Sequence, residues 1–258
     1  MSTSIAISFV PEQKALALSL AKQSSLPLLN TLATPPRFEL QIDPQGLLSL
    51  LDHENPKVKP LTVDFTTGKN RHRRLYGGGK GQDLAKAIGF NKHPKLSIID
   101  CTAGLGRDAF IIASLGGTVT LLERQATIAL LLESAIQQGQ RSEDSTLVDI
   151  IQRMTLITSN SLDYLKALRS EDYPDIIYID PMFPERRKQA KVKKDMQFFH
   201  QIVGHDDDAN ALLNIALQRA TKRIVVKRPR TAPSLANLKP AFTLKGKSTR
   251  YDVYLPIG

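Results

Sequence analysis

Cysteine is almost absent from this chain. A single thiol, Cys101, can neither close an internal disulfide nor build a multi-thiolate metal site, and the five histidines show no ligand spacing beside it. A disulfide scaffold and structural zinc are therefore excluded. No apolar run reaches the roughly 18 residues that a membrane-spanning helix needs. The opening, MSTSIAISFVPEQKALALSLAKQ, has no cation ahead of its first apolar stretch, so the expectation is a cytoplasmic protein without a secretory leader. Internal repeats and low-complexity segments are also missing. What remains, 41% apolar and 23% charged residues, is an ordinary globular composition, which excludes disorder and collagen-like structure. The 258 residues suffice for one large α/β domain or a main domain with a smaller companion.

Acidic charge is scarce beside basic charge, 25 residues against 35, and the net +10 is unevenly spread. Residues 69–80 (KNRHRRLYGGGK) hold five basic side chains and no acid, residues 185–194 (ERRKQAKVKK) six and one, and residues 222–230 (KRIVVKRPR) five and none. The remainder is net acidic, so the basicity is local. Such runs occur as solvated loops, but three on one face would make a surface for a polyanion.

From Lys95 onward the pattern alternates. KLSIID, TVTLLE, MTLITS, DIIYID and RIVVK read as strands; residues 107–115, ATIALLLESAIQQ, SLDYLKALR and DDDANALLNIALQRA read as the helices between them. A polar stretch at residues 141–149 separates the second helix from the third strand. Gly116 and Gly117 stop the first helix, and Asp206 to Asp208 suit the positive end of the last. Strands separated by helices of this length imply a parallel sheet covered on both faces. AFTLKG and TRYDVYLP leave no room for a crossover helix and should close the sheet as an antiparallel hairpin. Five parallel strands plus such a hairpin is the Rossmann-like architecture of class I S-adenosylmethionine (SAM)-dependent methyltransferases. A dinucleotide dehydrogenase would instead add a sixth parallel strand. Residues 1–60, where Pro27, Pro35, Pro36 and Pro44 interrupt short apolar segments, read as a small α+β domain ahead of a main domain at residues 61–258.

The chemistry concentrates at strand ends. In IIDCTAGLGRDAF, residues 98–110, a strand ends at Asp100 and a turn with Gly104 and Gly106 leads into a helix. Glycines there let backbone approach a ligand, and the helix amides favour an anionic group. With Ala109 the spacing also fits GxGxxA, which leaves a dinucleotide open. Nineteen residues after Gly104, at the end of the second strand, Glu123 is placed to accept hydrogen bonds from both ribose hydroxyls of a nucleoside. At the end of the third strand, Asn160 and Ser161 are short polar groups suited to an adenine or an amino-acid moiety, and Ser161 suits an N-cap equally well.

YIDPMFPER, residues 178–186, follows the fourth strand. A carboxylate, then proline, then an aromatic at this point resembles the Asp/Asn-Pro-Pro-Tyr/Phe signature of methyltransferases acting on exocyclic amino groups of bases. Asp180 and a neighbouring carbonyl can accept hydrogen bonds from an NH2 group while Phe183 stacks on the base. Met182 stands where that signature has proline. The segment at Gly77 to Gly81 is no P-loop, because GxxxxGK[ST] does not occur.

Taken together and in this order, GGGKGQDLAKAIG, DCTAGLGRDAF, LLER, YIDPMFP with a basic stretch after it, KRIVVKRP and a closing KGKSTRYDVY resemble the RsmJ-type small-subunit ribosomal RNA guanine-N2 methyltransferases. The resemblance covers residues 63–254. It implies SAM as cofactor, S-adenosylhomocysteine as product, 16S rRNA or the small ribosomal subunit as partner, and no metal. It places cofactor contacts on Arg107, Asp108, Glu123, Arg124, Asn160, Ser161 and Asp180, beside Gly104 and Gly106. RNA contacts are expected at Arg71, Arg73, Arg74, Arg186, Arg187, Lys188, Lys191, Lys193 and Lys194, in a chain acting as a monomer. A DNA amino-methyltransferase and a non-catalytic RNA-binding assembly factor on the same fold are the competing expectations.

Overall fold

The structure, a computed structural model, describes residues 5–34, 36–67, 79–182 and 208–257. Strands β1 (Ile5–Phe9), β2 (Phe38–Ile42), β3 (Leu48–Asp52) and β4 (Leu61–Thr62) form one sheet in that order. β1 and β2 pair in parallel across helix α1 (Lys14–Ser24), and the later pairs are antiparallel. The β2–β3 turn is held by Asp43, whose Oδ1 accepts from the amides of Gln45 and Leu47 at 2.9 and 2.8 Å.

The second sheet contains β5 (Ser97–Asp100), β6 (Thr118–Glu123), β7 (Met154–Thr158), β8 (Ile176–Ile179), β9 (Arg223–Pro229), β10 (Phe242–Lys245) and β11 (Thr249–Tyr254). Their spatial order is β10-β11-β9-β8-β5-β6-β7. All neighbours from β9 to β7 pair in parallel, and β11 runs antiparallel to both β9 and β10. The expected five parallel strands with a terminal hairpin are therefore present. From β5 the chain winds outward to β7, then returns to build β8 and β9 on the other side. That reversal opens a crevice at the carboxyl ends of β5 and β8, the place where open α/β sheets bind ligands.

Strand alternation sorts side chains onto two faces. Ile98, Val119, Leu121, Tyr178 and Val225 face one core with helices α2 (Asp83–Ile88), α3 (Arg107–Ser114), α4 (Ala126–Gln140) and α5 (Ser145–Ile151). Ile99, Leu122, Ile177, Ile179, Ile224 and Val226 face the other with α6 (Ser161–Ala167) and α7 (Ala209–Ala216). Two helices were not anticipated. α5 begins inside the polar stretch, where Asp144 caps it through the Leu147 amide (3.1 Å), and Leu147, Ile150 and Ile151 supply a short apolar stripe. α2 buries Leu84, Ala85, Ala87 and Ile88 and ends at Gly89, whose φ of 98° is a left-handed cap.

The first core also takes in the first sheet. Phe38, Leu40, Leu48 and Leu50 belong to the same apolar cluster as Phe110 and Leu131, and Phe65, just past β4, stacks on Phe110 with ring centroids 4.6 Å apart. Ser134 on α4 reinforces the contact, accepting from the Leu48 amide at 3.1 Å and donating to the Gly46 carbonyl at 3.3 Å. The glycine turn before α3 rests on this packing. Gly106 has φ +67°, and a Cβ there would lie 2.6 Å from Leu132 Cδ1 and 3.3 Å from Phe65 Cζ. Gly106→Ala should therefore combine backbone strain with overpacking and cost about 1–3 kcal/mol in denaturant unfolding. A loss below about 0.5 kcal/mol, the range of a neutral surface change, would show that the turn has slack.

Candidate active site

At the end of β5 the chain folds back on its own carboxylates. Asp100 is buried, and its Oδ1 accepts from the Thr102 amide at 3.0 Å. Thr102 Oγ1 in turn accepts from the Asp180 amide at 2.6 Å, which ties the start of the DPMFP segment to the glycine turn. Gly104 has φ 51°, and its amide donates to Glu123 Oε2 at 2.9 Å, while the Gln125 amide donates to Oε1 at 2.7 Å. Glu123 is thus a buried carboxylate aimed by backbone at the crevice, not a surface residue opening a helix.

The centre of the site is a residue whose role the sequence had concealed. Val226 pairs with Ile179, so Lys227 emerges from β9 beside Asp180, and its odd-numbered position puts it on the face of Val225 and Tyr178. Its Nζ donates to Asp108 Oδ2 at 2.7 Å and to Asp180 Oδ2 at 2.8 Å. The Tyr178 hydroxyl donates to the same Asp108 oxygen at 2.7 Å. Burial opposes the lysine's charge, but the carboxylates of Asp180 and Asp108 outweigh it and hold the ammonium well above the usual lysine range. Burial and the neighbouring Asp108 and Asp180 charges push Asp100 up to about 7, against the Thr102 amide and Lys227.

Lys227 belongs to the third basic run, most of which turns to internal partners. Lys222 pairs with Asp175, Arg223 donates to the Ala87 carbonyl at 3.0 Å, and Arg228 is buried with Nη2 on the Pro233 carbonyl at 2.6 Å. Among the described residues, Arg230 alone in this run is exposed without an internal partner of this kind. The run lies on an interior strand, where alternation turns cations inward as well as outward. Arg71, Arg73, Arg74, Arg186, Arg187, Lys188, Lys191, Lys193 and Lys194 of the other two runs lie outside the described residues, as does Phe183.

The remaining expected contacts surround the crevice. Arg107 is exposed at the start of α3, and Arg124 pairs with Asp208 at 3.3 Å. Asn160, not Ser161, caps α6: its Oδ1 accepts from the Leu162 amide at 2.9 Å. Ser161 Oγ instead donates to the Cys101 carbonyl at 2.6 Å and joins the ends of β5 and β7. Among the described residues there is no cluster that could hold a metal ion, and no helix is long and apolar enough to cross a membrane.

This arrangement suits a cationic nucleoside. The glycine turn offers close backbone approach, Glu123 offers a carboxylate for vicinal hydroxyls, and the carboxylates of Asp108 and Asp180 share one ammonium, leaving net negative charge for a ligand that carries positive charge. SAM has those features, with a ribose, a sulfonium and an α-ammonium. The same electrostatics predicts a pH dependence. Folded Asp100 keeps its proton up to about 7, whereas an unfolded aspartate releases it near pH 4, so stability falls as pH rises through that interval. Asp100→Asn should abolish this loss, gaining stability relative to the parent by up to about 4 kcal/mol between about pH 4 and pH 8 in denaturant titrations. An equal difference at both ends of that range would mean that Asp100 is ionised throughout.

Comparison with known proteins agrees with this geometry. Residues 20–256 match a family described as “Putative SAM-dependent methyltransferase”. Ribosomal RNA small subunit methyltransferase J of Pseudomonas syringae pv. syringae is 48% identical over 235 residues, 91% of this chain and 84% of that protein. The protein of that name in Pseudomonas fluorescens is 46% identical over 245 residues, 95% of this chain and 91% of its own. A SAM-dependent methyltransferase of Neisseria gonorrhoeae, solved as a crystal structure, superposes with a TM-score of 0.76 at 35% identity, covering 98% of this chain and 96% of the other. The dinucleotide reading of the glycine turn thereby falls away. A sheet closed by an antiparallel hairpin and near-full-length similarity place this chain in the ribosomal RNA small subunit methyltransferase J family of SAM-dependent methyltransferases.

Proposed function

We propose that this protein methylates the exocyclic N2 of a guanosine in 16S rRNA, in the cytoplasm and as a monomer, releasing S-adenosylhomocysteine. The names of its relatives support small-subunit rRNA as substrate. The choice of an exocyclic amine rests on one observation: Asp180, first residue of DPMFP, is pinned through its amide to Thr102 and through Oδ2 to Lys227, yet keeps 38% of its side-chain surface open. On this reading residues 61–258 carry the chemistry and residues 1–60 support it by packing on the same apolar core.

SAM supplies an electrophilic methyl group on its sulfonium. Glu123, held by two backbone amides, orients the ribose, and Asp108 lines the cofactor's end of the crevice. Asp180 accepts a hydrogen bond from the guanine amine. That bond draws the nitrogen away from conjugation with the ring and directs its lone pair, so positioning provides most of the acceleration. As the N–CH3 bond forms, N2 gives up one proton, and the carboxylate already bonded to it is the nearest acceptor. Phe183 stacks on the extruded base, and the basic side chains at 71–74 and 186–194 contact RNA phosphates.

Asp180→Ala should slow single-turnover transfer by orders of magnitude at saturating SAM and RNA, with RNA affinity retained. Lys227 acts through Asp180 and is a positioning residue. Lys227→Gln should lower kcat by about 10- to 100-fold with a smaller change in the KM for RNA, and Lys227→Arg should restore part of it. Identification of the product as N2-methylguanosine checks the site of transfer. Parental rates in Asp180→Ala would dismiss the loop as the catalytic centre, and methylated DNA in place of rRNA would replace the substrate assignment.

A further inference from the structure

We infer that Arg230 and the β10–β11 hairpin tip form a rigid cationic ledge that holds the sugar-phosphate backbone of RNA flanking the methylated nucleotide. The inference rests on the rRNA-substrate reading above and assigns part of that substrate's docking surface.

Topology brings the ledge to the catalytic edge. β11 is antiparallel to both neighbours, so β10 runs in the same direction as β5 to β9 and ends with Lys245 at the edge where Asp100, Glu123 and Asp180 lie. β11 starts from that edge with Thr249 opposite Pro229, so residues 246–248 sit beside Arg230. The Arg230 amide donates to the Ser248 carbonyl at 3.0 Å, and the Gly246 amide to the Thr249 carbonyl at 2.8 Å. Arg230, Lys245 and Lys247 are all exposed, and none makes an ion pair among the described residues. At about 4.8 Å per strand, the tip lies roughly 10–15 Å from the end of β8, within reach of nucleotides beside an extruded base.

Two buried guanidiniums stiffen this edge. Arg250 donates through Nη1 to the carbonyls of Arg230 and Ala232, at 3.0 and 2.6 Å, and through Nε and Nη2 to Asp252, both at 2.9 Å. Thr243 Oγ1 adds a third bond to Asp252 at 2.9 Å. Arg228 donates through Nε and Nη2 to the Pro233 carbonyl at 3.2 and 2.6 Å. Burial and the nearby Arg250 charge push Arg228 down to about 10. Burying cations is costly, and here their donors fix the backbone of 230–233 next to the hairpin rather than fill the core. A preorganised edge loses less entropy when it binds a flexible polyanion. The nearby acid, Asp83, lies 3.2 Å from where a Gly246 Cβ would stand and is 4.0 Å from Lys86, so the ledge extends from the tip toward Arg230 and away from α2.

The test uses the full chain carrying Arg230→Gln, Lys245→Gln and Lys247→Gln together, all at exposed positions. Affinity for naked 16S rRNA is measured across a salt series, with SAM affinity by calorimetry and the KM for RNA alongside. The ledge predicts RNA affinity and KM weakened at least about tenfold, a log–log salt slope shallower by about 2 for three lost contacts, and SAM affinity unchanged. Lysines at 245 and 247 changed to Arg should keep the parental slope, since charge rather than shape is read. A parental slope and KM in the Gln variant would overturn the inference while leaving the rRNA reading intact, and an equal fall in SAM affinity would overturn it by moving these residues to the cofactor pocket. If the parent neither binds nor methylates rRNA, the substrate reading itself fails.

Discussion

One ammonium group joins the two halves of this active site. Lys227 bonds to Asp108 at the start of the helix that follows the glycine turn and to Asp180 at the start of the DPMFP segment. Without it those carboxylates would face each other, with Asp100 beneath them, in a poorly solvated crevice where like charges repel strongly. The lysine can stand there because β9 is next to β8 in the sheet, a consequence of the strand order after the switch point. Sheet topology, and not a local motif, therefore sets the distance between Asp108 and Asp180.

Much of the fold was legible because its signals are local and periodic. Strands β5 to β9 are short apolar runs separated by helical patterns, and β10 and β11 are too close in sequence for a crossover. Gly104, Gly106, Glu123 and Asp180 stand out in the sequence because each ends or follows a strand, and the sheet brings them to one edge. Lys227 was not, although it too nears a strand's end. Five cations in nine residues read as a solvated run, and only the register of β9 against β8 and β11 shows that Lys227 and Arg228 turn to opposite faces, one to the crevice and one to the buried side. α5 was missed for a related reason: Ser142, Glu143 and Asp144 signal a loop, yet Asp144 is the cap of the helix that follows. The same ambiguity misplaced the cap of α6, since Asn160 and Ser161 both suit the role and the backbone entering α6 decides between them.

The amino-terminal sheet contributes to the site without reaching it. Phe65 packs on Phe110 and lies beneath Gly106, so the turn that approaches the cofactor is backed by residues on both sides of the link between the sheets. Glycine at 106 meets two demands at once, a left-handed backbone and the absence of a Cβ against Leu132. A turn with only the first demand would tolerate asparagine; the second excludes any side chain.

Charge is layered along the catalytic edge. Carboxylates from Asp100, Asp108, Glu123 and Asp180 line the floor of the crevice, and the exposed cations Arg230, Lys245 and Lys247 stand at the rim beyond β9. On the proposed function, a cationic cofactor would be attracted to the floor and a polyanionic substrate to the rim, while the acidic floor would repel phosphate and admit the uncharged base. Only the nucleobase of the RNA is then favoured in the place where methyl transfer can occur. The separation is maintained by two inward-facing strand cations with opposite duties: Lys227 neutralises part of the floor, and Arg250 fixes the rim's backbone from behind through Asp252. On that proposal, preference for a base over a phosphate depends on which face of an interior strand each cation occupies.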